Sequence, residues 1–308
     1  PFTDRPLADI VAIQAESFFD ARRLHPAIPP DLLRNYDACT AEACYSGRLT
    51  VPARGAYTMR TEFAFLSGLP NEALGYHRFN PYLLLCKTPV WTIAQLLRSF
   101  GYRTVCIHPF HASFFDRNEV MPNLGFDAFQ DIASFAGAPS FGPYISDVAV
   151  ADRICALLRR QDEGSDDRPL FVFGITMENH GRWERDRLAA YPADERIEAE
   201  PLGSHELGLY LRHLCNTDAM IEKVMTELNA RPSAGVFCLY GDHLPSLPDA
   251  FRASDYEDPR TDYFIWRKGG AFPRRLDTTA DMLGRLMLDA TLALDSWPAS
   301  NATTLIAE

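Results

Sequence analysis

The stretch "LYGDHLPS", residues 239–246, places a carboxylate and an imidazole, Asp242 and His243, just beyond the apolar run Gly235–Tyr240. A near-continuous apolar run suits a strand buried on both faces. Two readings compete for the polar pair at its end: a loop that caps the strand, or two ligands of a metal. Runs of the same kind recur at Asp9–Ala15, Thr104–Ile107, Leu170–Thr176 and Asp262–Trp266. Between them lie stretches with apolar residues three and four apart: Trp91–Phe100, ending at Gly101, then Asp147–Arg160 and Leu207–Leu228. A last helix is expected over Thr279–Leu294. Strands alternating with helices predict an α/β fold, a sheet covered by helices on both faces.

In open sheets of this kind, ligands gather at the carboxyl ends of the strands. The residues following the runs therefore decide the function. Asp9–Ala15 leads to Glu16, Thr104–Ile107 to His108, His111 and Arg117, Leu170–Thr176 to Glu178 and His180, and Gly235–Tyr240 to Asp242 and His243. Four strands delivering ionisable groups to one edge favour a site over coincidence. Glu16, Asp242 and His243 are the donor set a hard divalent cation takes, with manganese or magnesium ahead of zinc.

The segment "GAYTMRTEFAFLSGLP", residues 55–70, adds a candidate nucleophile. A helix over Thr61–Leu66 ended by Gly68 leaves Thr58 at or just before its N-terminus, where N–H groups and the dipole favour negative charge. A hydroxyl there either caps the helix or, with a metal lowering its pKa, attacks a substrate. Arg117 has two readings as well, a surface pair with Asp116 or Glu119, or a phosphate-binding fork. His25, His77, His205, His213 and Asp218 are assigned to structural roles.

Composition bounds these readings. The 308 residues are 47% hydrophobic and 23% charged, enough for one large domain over 1–308 with its core at about 9–295. A net charge of −11 argues against a nucleic-acid partner. No apolar run reaches the roughly 18–20 residues that span a bilayer. The chain begins at Pro1 without a signal-like segment, and reads as a soluble piece excised from a longer protein. Its seven cysteines have no zinc-like pairing, and Cys106 and Cys238 read as core fillers. Gln161–Pro169 and Trp183–Pro201 read as surface excursions, and residues after Trp297 as frayed.

Six blocks in order carry a family resemblance: "AESFFD" with Glu16, "YTMRTEFAFLSGLP" with Thr58, residues 101–129, "ITMENHG" at 175–181, "YLRHLCNTDAMIEKVM" at 210–225, and "YGDH" at 240–243. Together they resemble the lipoteichoic-acid-synthase-like phosphoglycerol transferases of the alkaline phosphatase and sulfatase superfamily. The resemblance implies a three-layer α/β/α domain with a mostly parallel sheet. It implies one divalent metal, manganese ahead of magnesium, held by Glu16, Asp242 and His243, with Thr58 as fourth ligand and nucleophile. Arg117 would bind the non-bridging phosphate oxygens, and His108 and His180 the phosphoglycerol group, with His180 also serving proton transfer. Phe115 stands where relatives often carry a tryptophan beside the substrate, which puts the shape of the glycerol pocket in question.

The implied reaction moves glycerol phosphate from a phospholipid head group, phosphatidylglycerol, to a glycan hydroxyl through a phospho-threonine. The implied setting is the periplasmic or extracellular face of a bacterial cytoplasmic membrane, with membrane segments outside this chain. The alternatives are a phosphodiesterase or phosphoethanolamine transferase of the same superfamily, or a non-catalytic glycan- or head-group-binding module. No Cys or Ser begins the C/S-x-P-x-R signature of formylglycine sulfatases, and no second Asp/His ligand set for a two-metal site is present.

Overall fold

A computed structural model describes residues 7–162, 166–183, 187, 197, 204–270 and 273–292. The strands are β1 (Asp9–Ala15), β2 (Tyr45–Thr50), β3 (Arg103–Ile107), β4 (Ala128–Gln130), β5 (Ser140–Phe141), β6 (Tyr144–Ile145), β7 (Leu170–Ile175), β8 (Gly235–Gly241), β9 (Thr261–Arg267), β10 (Arg274–Arg275) and β11 (Thr278–Thr279). The main sheet runs β10-β2-β9-β8-β1-β7-β3-β4, with β11 also on β2. From β8 to β4 every pairing is parallel, whereas β9 runs antiparallel to both β8 and β2. The five runs expected to be strands are strands, each within one residue at either end. β2 was not foreseen: "YSGRLT" is polar, and only Arg48 and Leu49 in it are buried.

The helices are α1 (Arg34–Glu42), α2 (Met59–Ser67), α3 (Pro81–Leu84), α4 (Ile93–Ser99), α5 (Arg117–Asn123), α6 (Asp147–Asp162), α7 (His205–Ala230), α8 (Pro248–Ser254) and α9 (Ala280–Leu292). Alternation along β1 divides them between two layers, because successive side chains of a strand point to opposite faces. Val11, Ile13 and Ala15 join a core with residues of α1, α6, α7 and α8. Ile10 and Ala12 join the opposite core with residues of α2, α4, α5 and α9. The fold is thus the expected three-layer α/β/α arrangement on a mostly parallel sheet. Cys106 and Cys238 are fully buried in the second core, and none of the seven cysteines forms a disulfide. The expected surface excursions and frayed end fall largely on residues outside the described ones.

Parallel order puts the carboxyl ends of β8, β1, β7 and β3 side by side on one edge. Gly241 lets two of those ends approach closely. A Cβ built there would lie 1.8 Å from the Phe18 carbonyl oxygen, so only glycine lets the chain beyond β1 cross the end of β8. Gly174 in β7 is different, since its Cβ would meet Ile154 and Ile13 at ordinary distances of 3.5 and 3.6 Å. Gly241→Ala is expected to lower stability by about 3 kcal/mol, the upper end of overpacking costs. Gly174→Ala should stay within about 1 kcal/mol of the parent. Urea midpoints of the two variants check the difference, and equal midpoints would refute the close-approach argument.

Candidate active site

The ends of β1 and β8 bring three sequence-predicted ligands together. Donor atoms of Glu16, Asp242 and His243 all lie within 4.8 Å of one another, and all three side chains are buried. Ser17 knits them: its N–H donates to Asp242 Oδ1 at 2.8 Å, and its hydroxyl donates to Glu16 Oε1 at 2.9 Å and lies 3.4 Å from His243 Nδ1. Sequence reasoning passed over Ser17, whose only signal is its place beside Glu16. The Thr176 hydroxyl accepts the Glu16 N–H at 3.0 Å, tying β7 to the same point.

The imidazole shows what the cluster lacks. His243 Nδ1 lies 3.0 Å from the Leu244 carbonyl, which assigns its hydrogen to that nitrogen. Nε2 then turns a lone pair towards Asp242 Oδ2 at 3.3 Å and Glu16 Oε1 at 3.6 Å. Three electron-rich atoms in that arrangement repel unless a proton or a metal cation stands among them. Glu16 Oε2 and Asp242 Oδ2 are also buried without a hydrogen-bond partner. Burial first, and then the Glu16 charge, pushes the Asp242 carboxyl up to about 6. Burial likewise raises Glu16. For His243 burial acts downward, but the Asp242 and Glu16 carboxylates outweigh it and raise the imidazole. Two carboxylates and an imidazole with unspent lone pairs fit a divalent cation.

Thr58 immediately precedes α2 and makes no side-chain capping bond. Its hydroxyl stands near enough to the Asp242 carboxyl to lower that group's pKa against the burial that raises it, and lines the cleft with Glu16 and His243. The helix-start N–H groups expected to steady an anion are partly spent, because Arg60 and Thr61 donate to the carbonyls of Tyr57 and Thr58. The helix begins at Met59, two residues earlier than the sequence suggested. Thr61 and Glu62 lock it in place. The Thr61 hydroxyl donates to the Asp242 carbonyl at 2.8 Å.

Arg117 does not pair with Asp116 or Glu119, both of which pair with Lys87. It is buried and salt-bridged to Glu62 through Nη2 and Nε, and Tyr82 donates to the same carboxylate at 2.8 Å. Its Nη1 lies 3.3 Å from His108 Nε2, while His108 Nδ1 faces the Ile175 carbonyl at 3.2 Å. Burial, and then the Arg117 charge, lowers His108 well below the ordinary range, so it stays neutral. Phe115 lies over the guanidinium, with 5.3 Å from its ring centre to Cζ. His180 Nδ1 lies 2.6 Å from the Gly181 carbonyl and 3.1 Å from the Tyr144 hydroxyl, which leaves Nε2 available.

A cleft of about 340 Å³ is lined by Glu16, Thr58, His108, Phe115, Arg117, His180 and His243, with Ser17 and Tyr57. Asp242 lies beneath its floor. Ser17, Tyr57 and Phe115 on this lining, and Asp116 next to it, all adopt positive φ. Such conformations cost about 1–3 kcal/mol each and concentrate where function over-determines geometry.

Glu178 belongs elsewhere, although it too follows a strand of this edge. It accepts from His213 Nδ1 at 2.6 Å, from Asn216 and from the Asp147 N–H. Burial first, then Glu178, raises the Asp147 carboxyl, and burial raises Glu178 against its hydrogen bonds. Burial followed by Arg187 and Arg212 lowers His213 to about 3. The structural reading of His213 holds, as does that of Asp218, which accepts from the N–H groups of Asn35 and Tyr36 at the start of α1.

A cation-demanding cluster at the carboxyl edge of an α/β/α sandwich, with a hydroxyl and an arginine over it, defines the alkaline phosphatase and sulfatase class. The chain belongs to the sulfatase family, whose model matches residues 8–283. It is 32% identical over 295 residues to the capsular polysaccharide biosynthesis protein RkpI of Rhizobium meliloti (strain 1021), covering 93% of this chain and 51% of that protein. It is 28% identical to a putative cyclic β-1,2-glucan modification protein of the same organism, covering 82% of this chain and 38% of that one. The chain thus spans about half or less of the length of these relatives. Among solved structures, the phosphoglycerol transferase GacH of Streptococcus pyogenes, in complex with sn-glycerol-1-phosphate, superposes with a TM-score of 0.70. Its sequence identity is 24%, and the match covers 94% of this chain and 77% of that one.

Two outcomes are expected. Glu62→Ala leaves the buried Arg117 cation without its partner and should cost about 3–5 kcal/mol in urea unfolding. A loss near zero would mean that Arg117 does not depend on Glu62. The second concerns pH. The folded state keeps carboxyl protons on Asp147 and Glu178 that the unfolded chain releases near pH 4, while unfolded His213 and His108 are half deprotonated at about 6.5 and have shed their protons about one pH unit higher. Above that point, towards about pH 8 where the folded Asp147 carboxyl titrates, the proton it still holds makes stability fall as pH rises. Asp147→Asn should flatten this slope in urea midpoints taken with chelator present; parallel slopes would contradict the assignment.

Proposed function

We propose that this chain is the catalytic domain of a metal-dependent phosphoglycerol transferase acting on cell-envelope glycans. The observation that carries the reading is Thr58, a hydroxyl not used for capping, set against Asp242 in a buried cluster with unspent lone pairs. A divalent cation held by Glu16, Asp242 and His243, with manganese ahead of magnesium, would lower the Thr58 pKa and neutralise phosphoryl charge. Thr58 Oγ attacks the phosphorus of a phosphatidylglycerol head group and gives up its proton. The bond to the diacylglycerol oxygen breaks, and that oxygen leaves protonated.

The glycerophospho-threonine is then attacked by an acceptor hydroxyl, whose proton passes to the departing Thr58 oxygen. Arg117 lines the cleft and sets its charge towards the non-bridging oxygens, with Nε and Nη2 held by Glu62, which Tyr82 supports in turn. Neutral His108 orients Arg117 through Nε2 and lines the cleft beside the glycerol phosphate. Phe115 shapes the glycerol pocket. His180, with Nε2 available, is the proton carrier for the leaving or attacking hydroxyl. The glycan acceptor is supported by the capsular polysaccharide and the cyclic glucan that the two relatives are named for, and the glycerol phosphate by the ligand in GacH. With a lipid donor, the site works on the outer face of the cytoplasmic membrane, and the rest of the protein anchors it there.

Incubation with phosphatidylglycerol and manganese is expected to add a glycerophosphoryl mass to the protein at Thr58, or to release glycerol phosphate to water. Thr58→Ala should lack the adduct and lose about 10⁴-fold or more in release. Intact-mass spectrometry with peptide mapping, run beside a glycerol phosphate assay, reads both. An adduct on another residue, or release undiminished in the variant, would sink the assignment.

A further inference from the structure

One side of the cleft continues into an exposed apolar surface. Tyr57 and Phe114 line the cleft and are themselves 52% and 38% exposed. From Tyr57 the surface runs through Arg60, whose Cζ lies 4.4 Å from the Tyr57 ring centre and 5.7 Å from that of Phe79. Arg78 covers the same Phe79 ring at 5.0 Å. From Phe114 it runs onto α3, which packs against the Phe114–Asp116 turn and against the Asn71–Phe79 turn. Tyr76, Phe79, Leu83 and Leu84 there are 93%, 53%, 56% and 61% exposed. A contiguous patch of this kind beside a functional opening marks an interaction site.

Charge identifies what it meets. Lys87 is taken up by Asp116 and Glu119, and Glu62 is buried against Arg117, which leaves Arg54, Arg60 and Arg78 against Glu72 over residues 54–91. The whole chain, by contrast, carries 41 acidic to 30 basic residues. The segment at the mouth of the cleft therefore reverses the sign of the molecule. Tyrosines and arginines sit at the head-group level of a bilayer and leucines below it. Each cation near an anionic surface raises partitioning about fivefold. Leu83 and Leu84 offer a sugar no ring face for stacking, and the Tyr57 and Phe79 rings are covered by Arg60 and Arg78, so the patch favours lipid over glycan.

We propose that the surface formed by the Asn71–Phe79 turn, α3 and the Tyr57–Arg60 rim docks on an anionic lipid bilayer and presents the cleft to head groups there. This rests on the lipid-donor reading above and adds to it the face by which the donor is reached. The test uses the chain with Tyr76→Ser, Leu83→Ser and Leu84→Ser combined, none of which lines the cleft. Vesicles of phosphatidylcholine, with and without phosphatidylglycerol, are sedimented with each protein. Turnover is measured on the phosphatidylglycerol vesicles and on monomeric short-chain phosphatidylglycerol.

The expected result is binding to phosphatidylglycerol vesicles that falls about tenfold in the variant. Vesicle turnover should fall in parallel while short-chain turnover is unchanged, which also reports that the variant is folded. Vesicle binding by the parent and not the variant, with no turnover of any donor, would remove the lipid-donor reading and keep the docking surface. Equal vesicle binding by parent and variant, no vesicle binding at all, or a variant altered only in its dependence on glycan acceptor would each overturn the proposal.

Discussion

The lone pair of His243 Nε2, facing two carboxylate oxygens at 3.3 and 3.6 Å, is the constraint on which the site depends. Two carboxylate oxygens and an imidazole nitrogen held so close and so buried are stable only with protons or a metal cation among them. The surrounding structure is built to hold that arrangement. Gly241 admits the Phe18 carbonyl, Ser17 adopts a positive φ to reach Asp242 and Glu16, and Thr61 and Thr176 pin the backbone from α2 and β7. Each of these contacts joins segments far apart in sequence. They meet because β8, β1 and β7 are parallel neighbours whose carboxyl ends coincide.

The other buried charges of this edge follow a different logic. Arg117 and Glu62 neutralise one another, and Tyr82 completes the carboxylate's hydrogen bonding. Glu178 is satisfied by His213 and Asn216, and Asp147 Oδ2 by Asn179 and Thr217, while Asp147 Oδ1 has no partner and the two carboxyls keep protons. Among the described residues, only the Glu16, Asp242 and His243 group combines a raised imidazole with raised carboxyls and unpartnered oxygens. Burial and pairing alone do not distinguish a working site from a structural network; unspent lone pairs facing a cleft do.

How much of this was legible follows from the range of the interactions. The central strands were readable because burial on both faces leaves uninterrupted apolar runs, and their chain order made the polar residues beyond them converge. β2 was not, since a half-exposed strand pairing antiparallel with β9 carries no such run. Glu16, Asp242 and His243 were legible as residues that follow strands, but by the same rule Glu178 looked like one of them. What separates them is which way each side chain turns: Glu178 towards α6 and α7, Glu16 and His243 into the cleft, and Asp242 against Ser17 and His243. Glu62 was missed because it reads as an ordinary helix residue, and the cation it serves lies 55 positions away.

Yet Glu62 had a signal in "TMRTE", residues 58–62. Thr58, Thr61 and Glu62 stand at i, i+3 and i+4, and that spacing puts them along one face of a helix. The face is turned to the cleft: Thr58 meets the Asp242 carboxylate, Thr61 the Asp242 carbonyl, and Glu62 the Arg117 guanidinium. One turn of α2 therefore fixes the distance between the hydroxyl, the cation cluster and the arginine. Since a helical turn is stiff, that distance does not depend on the loops that carry His180 or Phe115. The shape of the cleft can then change through those loops without disturbing the spacing between the Thr58 hydroxyl, the Glu16, Asp242 and His243 cluster, and Arg117.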